Sequence, residues 1–135
     1  MRANNLLARE VSIGSLTGVE RLLNDGADVN GKGIDLLSPI CRAASSGRVD
    51  VVKLLIERGA DLEATTIETR SDGSFRVGSA PAVHLAIYGR HIDVLQVLLQ
   101  AGANPNSFNS YGTTPLMAAA NQGHANVVRI LLDKG

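Results

Sequence analysis

Asn109 to Gly135 reads NSYGTTPLMAAANQGHANVVRILLDKG, and the reading of this stretch decides the fold. Thr114-Pro115 predicts a helix start, because proline in the first turn gives up only an N–H that would lack a partner there, and its ring presets the backbone angle. A short apolar helix follows over Leu116 to Asn121, and Gly123 breaks it. A second apolar run, Asn126 to Leu132, ends at Asp133-Lys134-Gly135, with glycine where a left-handed residue past a helix end is needed. The unit is thus an αα-hairpin. Both helices are apolar on more than one face, which short isolated helices in water do not sustain, so each must be sandwiched between neighbours. One such unit predicts copies of itself.

The copies are present. Leu-Leu-x-x-Gly occurs at Leu22 to Gly26, Leu98 to Gly102 and Leu131 to Gly135, with a form one residue looser at Leu54 to Gly59. Gly26 and Gly59 are 33 residues apart, as are Gly102 and Gly135, whereas Gly59 and Gly102 are 43 apart, so one connection carries ten extra residues. After three of these glycines the text continues alike: Ala27-Asp28-Val29-Asn30, Ala60-Asp61-Leu62-Glu63 and Ala103-Asn104-Pro105-Asn106. A 33-residue period with Thr-Pro-Leu at the first helix and Gly-Ala-Asp-Val-Asn after the second resembles the ankyrin repeat, over essentially the whole chain. The resemblance implies an all-α solenoid of L-shaped units, each a helix pair with a β-turn finger at roughly right angles. It also implies binding of other proteins through those fingers and the concave helix face; that step is analogy, since a fold does not by itself give a function.

On this reading the chain is one domain of four repeats: residues 1–32, 33–65, 76–108 and an incomplete 109–135, with an insertion at 66–75. The first is atypical. Asn5-Leu6-Leu7 replaces Thr-Pro-Leu, and Arg9-Glu10 brings charge into the first helix, as the polar outer face of an N-terminal capping repeat requires. Asn4 or Asn5 is its candidate helix cap. Repeat 2 starts its first helix at Ser38-Pro39-Ile40 and breaks at Gly47. The stretch Thr66 to Ser79 contains Asp72-Gly73 flanked by strand-favouring Thr, Ile, Phe and Val, which predicts a hairpin finger pairing Arg70 with Phe75 and Thr69 with Arg76. In repeat 3, Pro81 stands one residue early and Gly89-Arg90 replaces the inter-helix glycine, so both helix ends should be locally distorted. Repeat 4 is closest to the family pattern and lacks the Ala-Asp-Val-Asn continuation. An internal-type repeat in that place leaves an apolar stacking face in water, and we expect it to belong to a longer protein or to be covered by self-association.

The 13 basic and 13 acidic residues cancel, and aromatic content is 3%, so neither a global field nor abundant stacking platforms recruit nucleic acid. No apolar run approaches the roughly 20 residues of a membrane helix, and no signal-peptide pattern is seen. Together with a lone cysteine, Cys41, this points to the cytoplasm or nucleus. Cys41 stands where the family most often has His and reads as a small buried filler. His84 sits at the family's T-P-L-H position, where the resemblance implies a hydrogen bond tying the helix start to its neighbour. His91 and His124 are 33 residues apart, so their repetition is what structure alone produces. No H-E-x-x-H, paired C-x-x-C, EF-hand, phosphate-loop or G-x-S-x-G pattern occurs, so no catalytic residue, metal or cofactor is expected.

What remains is surface. Positions that hold the stack are unavailable, so contact with another protein should use finger tips and the exposed side of each first helix. These are Lys32, Ile34 and Asp35 in the first finger; Arg70, Phe75 and Arg76 in the insertion; Phe108, Ser110 and Tyr111 in the last finger; and Ser45, Ser46, Tyr88, Asn121 and Gln122 along the first helices. All four aromatics of the chain, Phe75, Tyr88, Phe108 and Tyr111, fall in this set, and aromatics and Arg are favoured interface anchors. Two other readings stay open: a nucleotide or RNA ligand held on the same face, for which only the Arg70, Phe75, Arg76 group qualifies, and a targeting or spacer segment of a larger protein.

Overall fold

The computed structural model describes residues 2–33, 37–66, 68–69, 75–76 and 80–134. Among them lie eight α-helices and one two-stranded hairpin: α1 Arg2–Ile13, α2 Leu16–Asn24, α3 Pro39–Ser46, α4 Val49–Glu57, β1 Glu68–Thr69, β2 Phe75–Arg76, α5 Ala82–Tyr88, α6 Ile92–Gln100, α7 Pro115–Asn121 and α8 Ala125–Lys134. Each odd helix packs on the even helix that follows it. Successive odd helices pack on one another, as do successive even helices, giving an inner row α1-α3-α5-α7 and an outer row α2-α4-α6-α8. The continuous core runs between the two rows through Leu7, Val11, Val19, Ile40, Val52, Leu55, Ile87, Leu95 and Leu98, all buried.

Local chemistry starts and stops the helices as the sequence reading expects. The Ser38 hydroxyl accepts from the Cys41 N–H at 3.4 Å with Pro39 in the first turn, and Thr114 Oγ1 accepts from the Met117 N–H at 3.2 Å ahead of Pro115. Gly59, past the end of α4, has φ 86°, and Gly47, between α3 and α4, has φ 72°. Repeat 3 departs as anticipated. Pro81 sits at the cap position of α5 with no side-chain cap, and is instead bridged to Thr65. The Thr66 N–H donates to the Ala80 carbonyl at 3.1 Å, and the Ala80 N–H to Thr66 Oγ1 at 3.2 Å, so the base of the insertion is fastened to the helix start. Arg90 occupies the left-handed position that glycine fills elsewhere, with φ 60°. Arg90→Gly should therefore raise unfolding free energy by up to about 1 kcal/mol in urea titration, the left-handed strain of a non-glycine residue less the added freedom of glycine in the unfolded chain.

Two local expectations are corrected. α1 begins at Arg2, so Asn4 and Asn5 lie inside the helix and not at its start. Asn4 packs against Gly31, where any Cβ would collide with its amide. The hairpin forms but in another register: Glu68 pairs with Arg76 and Thr69 with Phe75. An odd number of residues, 70–74, then joins the paired strands, which a two-residue Asp-Gly turn cannot do. From the Thr65–Pro81 bridge to the Glu68–Arg76 pair the first arm advances three residues and the second five, so the arms are unequal. Fastening at the base accompanies this register.

Candidate functional site

The inner row is locked by side chains that reach from one repeat to backbone groups of another. Arg48 Nη2 donates to the Ser12 carbonyl at 3.2 Å, and His91 Nε2 lies 3.2 Å from the Ser45 carbonyl at the equivalent place one unit on. In the last unit His124 stands at the corresponding position, yet Gln122 Nε2 makes the bond, donating to the Tyr88 carbonyl at 3.3 Å. His124 Nε2 is left buried without a protein partner. A second series runs along the turns after the even helices: Asn30 Oδ1 accepts from the Asp61 N–H at 2.8 Å, and Glu63 Oε2 from the Asn104 N–H at 3.0 Å. Because each rung crosses a repeat boundary, neighbouring repeats are tied to one another by side-chain bonds as well as by packing.

His84 is fully buried, and its Nε2 donates to the Thr113 carbonyl at 2.8 Å, which ties α5 to the base of the last finger as the resemblance implies. Burial pushes its pKa below the usual 6.5, against the weaker opposing pull of the Thr113 carbonyl and Glu63. The neutral form is thus favoured by folding, so this contribution to stability is complete above about pH 6.5 and is lost as pH falls toward the lower native value. The melting temperature should drop on acidification through that window, and by less in a His84→Gln variant. Cys41 is buried, its Sγ 3.3 Å from the Ala64 carbonyl, and desolvation raises its pKa above the usual value, which disfavours the thiolate that nucleophilic or metal chemistry needs.

The surface residues named from sequence separate into groups. Ile34, Asp35 and Arg70 lie outside the described residues, and Phe75 and Arg76 are described as the backbone of β2. Lys32, Ser45, Ser46, Ser110 and Asn121 are exposed, and Gln122 is half-buried by its bond to the Tyr88 carbonyl. Tyr88, Phe108 and Tyr111 are 44%, 67% and 55% exposed. The structure joins the inner row to the last finger through Tyr88. Its side chain runs back along α5, with its ring centroid 6.3 Å from that of His84, and its hydroxyl accepts from Asn109 Nδ2 at 3.0 Å. Asn109 spends its other amide atom on the N–H groups of Tyr111 and Thr113, at 3.0 and 2.9 Å, and so shapes the finger that presents Tyr111. Asn109 is not among the positions named from sequence; an Asn three residues before Gly112 is the signal for it, since Asn opens such turns through its own side chain.

The last helix pair also exposes what the others cover. Val83 of α5 and Leu99 of α6 are 1% and 7% exposed, whereas their counterparts one period on, Leu116 and Leu132, are 38% and 62% exposed. A shallow groove of about 260 Å³ lies on the outer row between Gln96, Leu99, Ile130 and Asp133, away from the aromatic finger. Among the described residues no group of three or more His, Cys, Asp or Glu could hold a metal, and no helix is long and apolar enough to cross a membrane.

Comparison with known proteins agrees with this architecture. The family model described as "Ankyrin repeats (3 copies)" matches residues 74–135, and that described as "Ankyrin repeat" matches residues 35–67. The chain is 28% identical to the Caenorhabditis elegans protein named "Ankyrin repeat and KH domain-containing protein mask-1", over 85% of this chain and 5% of that protein. It is 30% identical to the Ornithorhynchus anatinus "Ankyrin repeat, SAM and basic leucine zipper domain-containing protein 1", over 96% of this chain and 26% of that one. It is 32% identical to the Arabidopsis thaliana "Putative E3 ubiquitin-protein ligase XBAT35", over 93% and 26% respectively. The chain therefore spans a quarter or less of the length of these relatives, to within a percentage point. Ankyrin repeats as a class mediate protein–protein interaction. With the 33-residue period, the paired helices in two rows and both family matches in agreement, the chain belongs to the ankyrin repeat family.

Proposed function

We propose that this chain is a protein-recognition module that holds its partner on the last finger and the adjoining concave row, with Tyr88, Phe108 and Tyr111 as anchors and Ser45, Ser46, Ser110 and Asn121 as polar contacts. The observation that carries the reading is the Tyr88–Asn109 hydrogen bond at 3.0 Å, which couples the inner row to the finger and leaves three exposed aromatics on a preformed surface. A surface ordered in advance loses little conformational entropy on contact, so more of the contact energy is retained as affinity. The names of two relatives join ankyrin repeats to KH, SAM and leucine zipper domains, and a third is named as a putative ubiquitin ligase, which supports a recognition role beside other activities. A photo-crosslinking residue in place of Tyr111 should trap a discrete protein adduct in cells that make the protein, whereas one in place of the outer-row Lys53 should not. Adducts from position 53 alone, or from neither, would reject the reading.

Self-association is favoured by one separate observation, the exposed Leu116 and Leu132 on the face that other repeats cover. A mass that rises with concentration in sedimentation and is restored to the monomer by Leu132→Asp is the expected result. A monomer at every concentration would exclude it.

A further inference from the structure

The exposed aromatic finger belongs to an unusual stretch of the chain: residues 94–128 contain no Asp, Glu, Lys or Arg, so all 13 basic and 13 acidic residues lie elsewhere. The stretch covers most of α6, the whole of the last finger and α7, and the start of α8. Its exposed side chains are apolar or neutral amides and hydroxyls, among them Phe108, Ser110, Tyr111, Met117 and Asn121. By contrast, the outer helix α4 displays Asp50, Lys53 and Glu57.

Building on the recognition role proposed above, we infer that the partner is engaged through an extended, uncharged segment with apolar or aromatic side chains, and that charged motifs are discriminated against. The argument is one of complementarity. A carboxylate or ammonium brought onto residues 94–128 loses hydration and finds no counter-charge within the stretch itself, while the adjoining Glu63 carboxylate is already engaged by the Asn104 N–H at 3.0 Å and repels a second carboxylate. An apolar segment brings no charge to desolvate and buries area against Phe108 and Tyr111. Its backbone carbonyls also find a donor. The Tyr88 hydroxyl already accepts from Asn109 Nδ2, which orients the phenol and leaves its own O–H to donate outward. Selectivity here arises from the absence of counter-charge, a form of discrimination by penalty against the wrong partner.

The test is to pan the whole chain against a randomised display library of linear peptides and measure the enriched peptides by calorimetry or fluorescence. Enriched sequences should be depleted in Asp, Glu, Lys and Arg relative to the library. Their affinity should change by less than about twofold between about 50 mM and about 500 mM salt, because few counterions are released. Phe108→Ala and Tyr111→Ala should each weaken them by about tenfold, and Lys53→Ala on the outer row should leave them unchanged. Phe108 is too exposed for its loss to unfold the chain, so weakened binding reads the site directly. Enrichment of charged peptides that still depend on Phe108 and Tyr111, or steeply salt-sensitive binding, would overturn the inference and leave the recognition surface standing. Peptides indifferent to both aromatic variants would overturn the inference and the surface together. No enrichment at all would overturn capture of a linear segment, while the crosslinking result would still decide the recognition role.

Discussion

Gly47→Val is expected to destabilise the protein by about 2–5 kcal/mol, the sum of left-handed backbone strain and overpacking. Two independent causes add at this position. Gly47 has φ 72°, which a β-branched residue adopts only under strain, and a Cβ there would come within 2.5 Å of the His91 ring. That ring cannot yield freely, since its Nε2 is 3.2 Å from the Ser45 carbonyl. Gly59→Val supplies the control. Gly59 has φ 86°, yet nothing lies within 4 Å of a Cβ placed on it, so only the backbone term of about 1–2 kcal/mol should appear. Denaturant midpoints of the two variants separate strain from collision. Equal losses would mean that the His91 contact across repeats contributes nothing, and an unchanged Gly59→Val midpoint would contradict the helix end placed there.

Leu98→Ala should cost about 2–5 kcal/mol, as buried leucine truncations in rigid surroundings do. Leu98 is fully buried in α6, and α6 packs on α4, α5 and α8, so neighbours on both sides limit collapse into the vacated space. Leu131 is its counterpart one period on, in α8, whose packing partners among the helices are α7 and α6. Leu131→Ala should therefore cost less, because a side bounded by solvent can relax or hydrate. Because stability in a stack is distributed over units and their shared faces, the Leu98 variant should also broaden the urea transition as the two halves uncouple. Equal penalties at both positions, with unchanged slopes, would show that the inter-repeat packing around α6 is not what holds the stack together.

Much of this protein could be read locally. Thr114-Pro115 and Ser38-Pro39 start helices because their hydroxyls and proline rings act within one turn, and Gly59 ends one because only its own backbone angle is at issue. The displaced Pro81 and the Gly89-Arg90 pair were likewise legible as distortions, since each violates a rule confined to a few residues. The aromatic positions could be assigned to fingers and inner helices by period alone. How they meet could not. The Tyr88–Asn109 bond spans 21 residues and depends on how α5 leans against the last finger.

The same division holds for the whole chain. The repeat, the family and the capped or glycine-stopped helix ends of the internal units were legible in the residues alone, because 33-residue periodicity, caps and glycine stops are short-range and recur, so each copy checks the others. Only the tertiary structure decided the hairpin register, the position of Asn4 within α1 and against Gly31, the substitution of Gln122 for His124 on the Tyr88 carbonyl, and the coupling of the inner row to the aromatic finger. Each of those is a competition between partners that are apart in the chain, and distance and burial, which sequence order does not encode, decide such competitions.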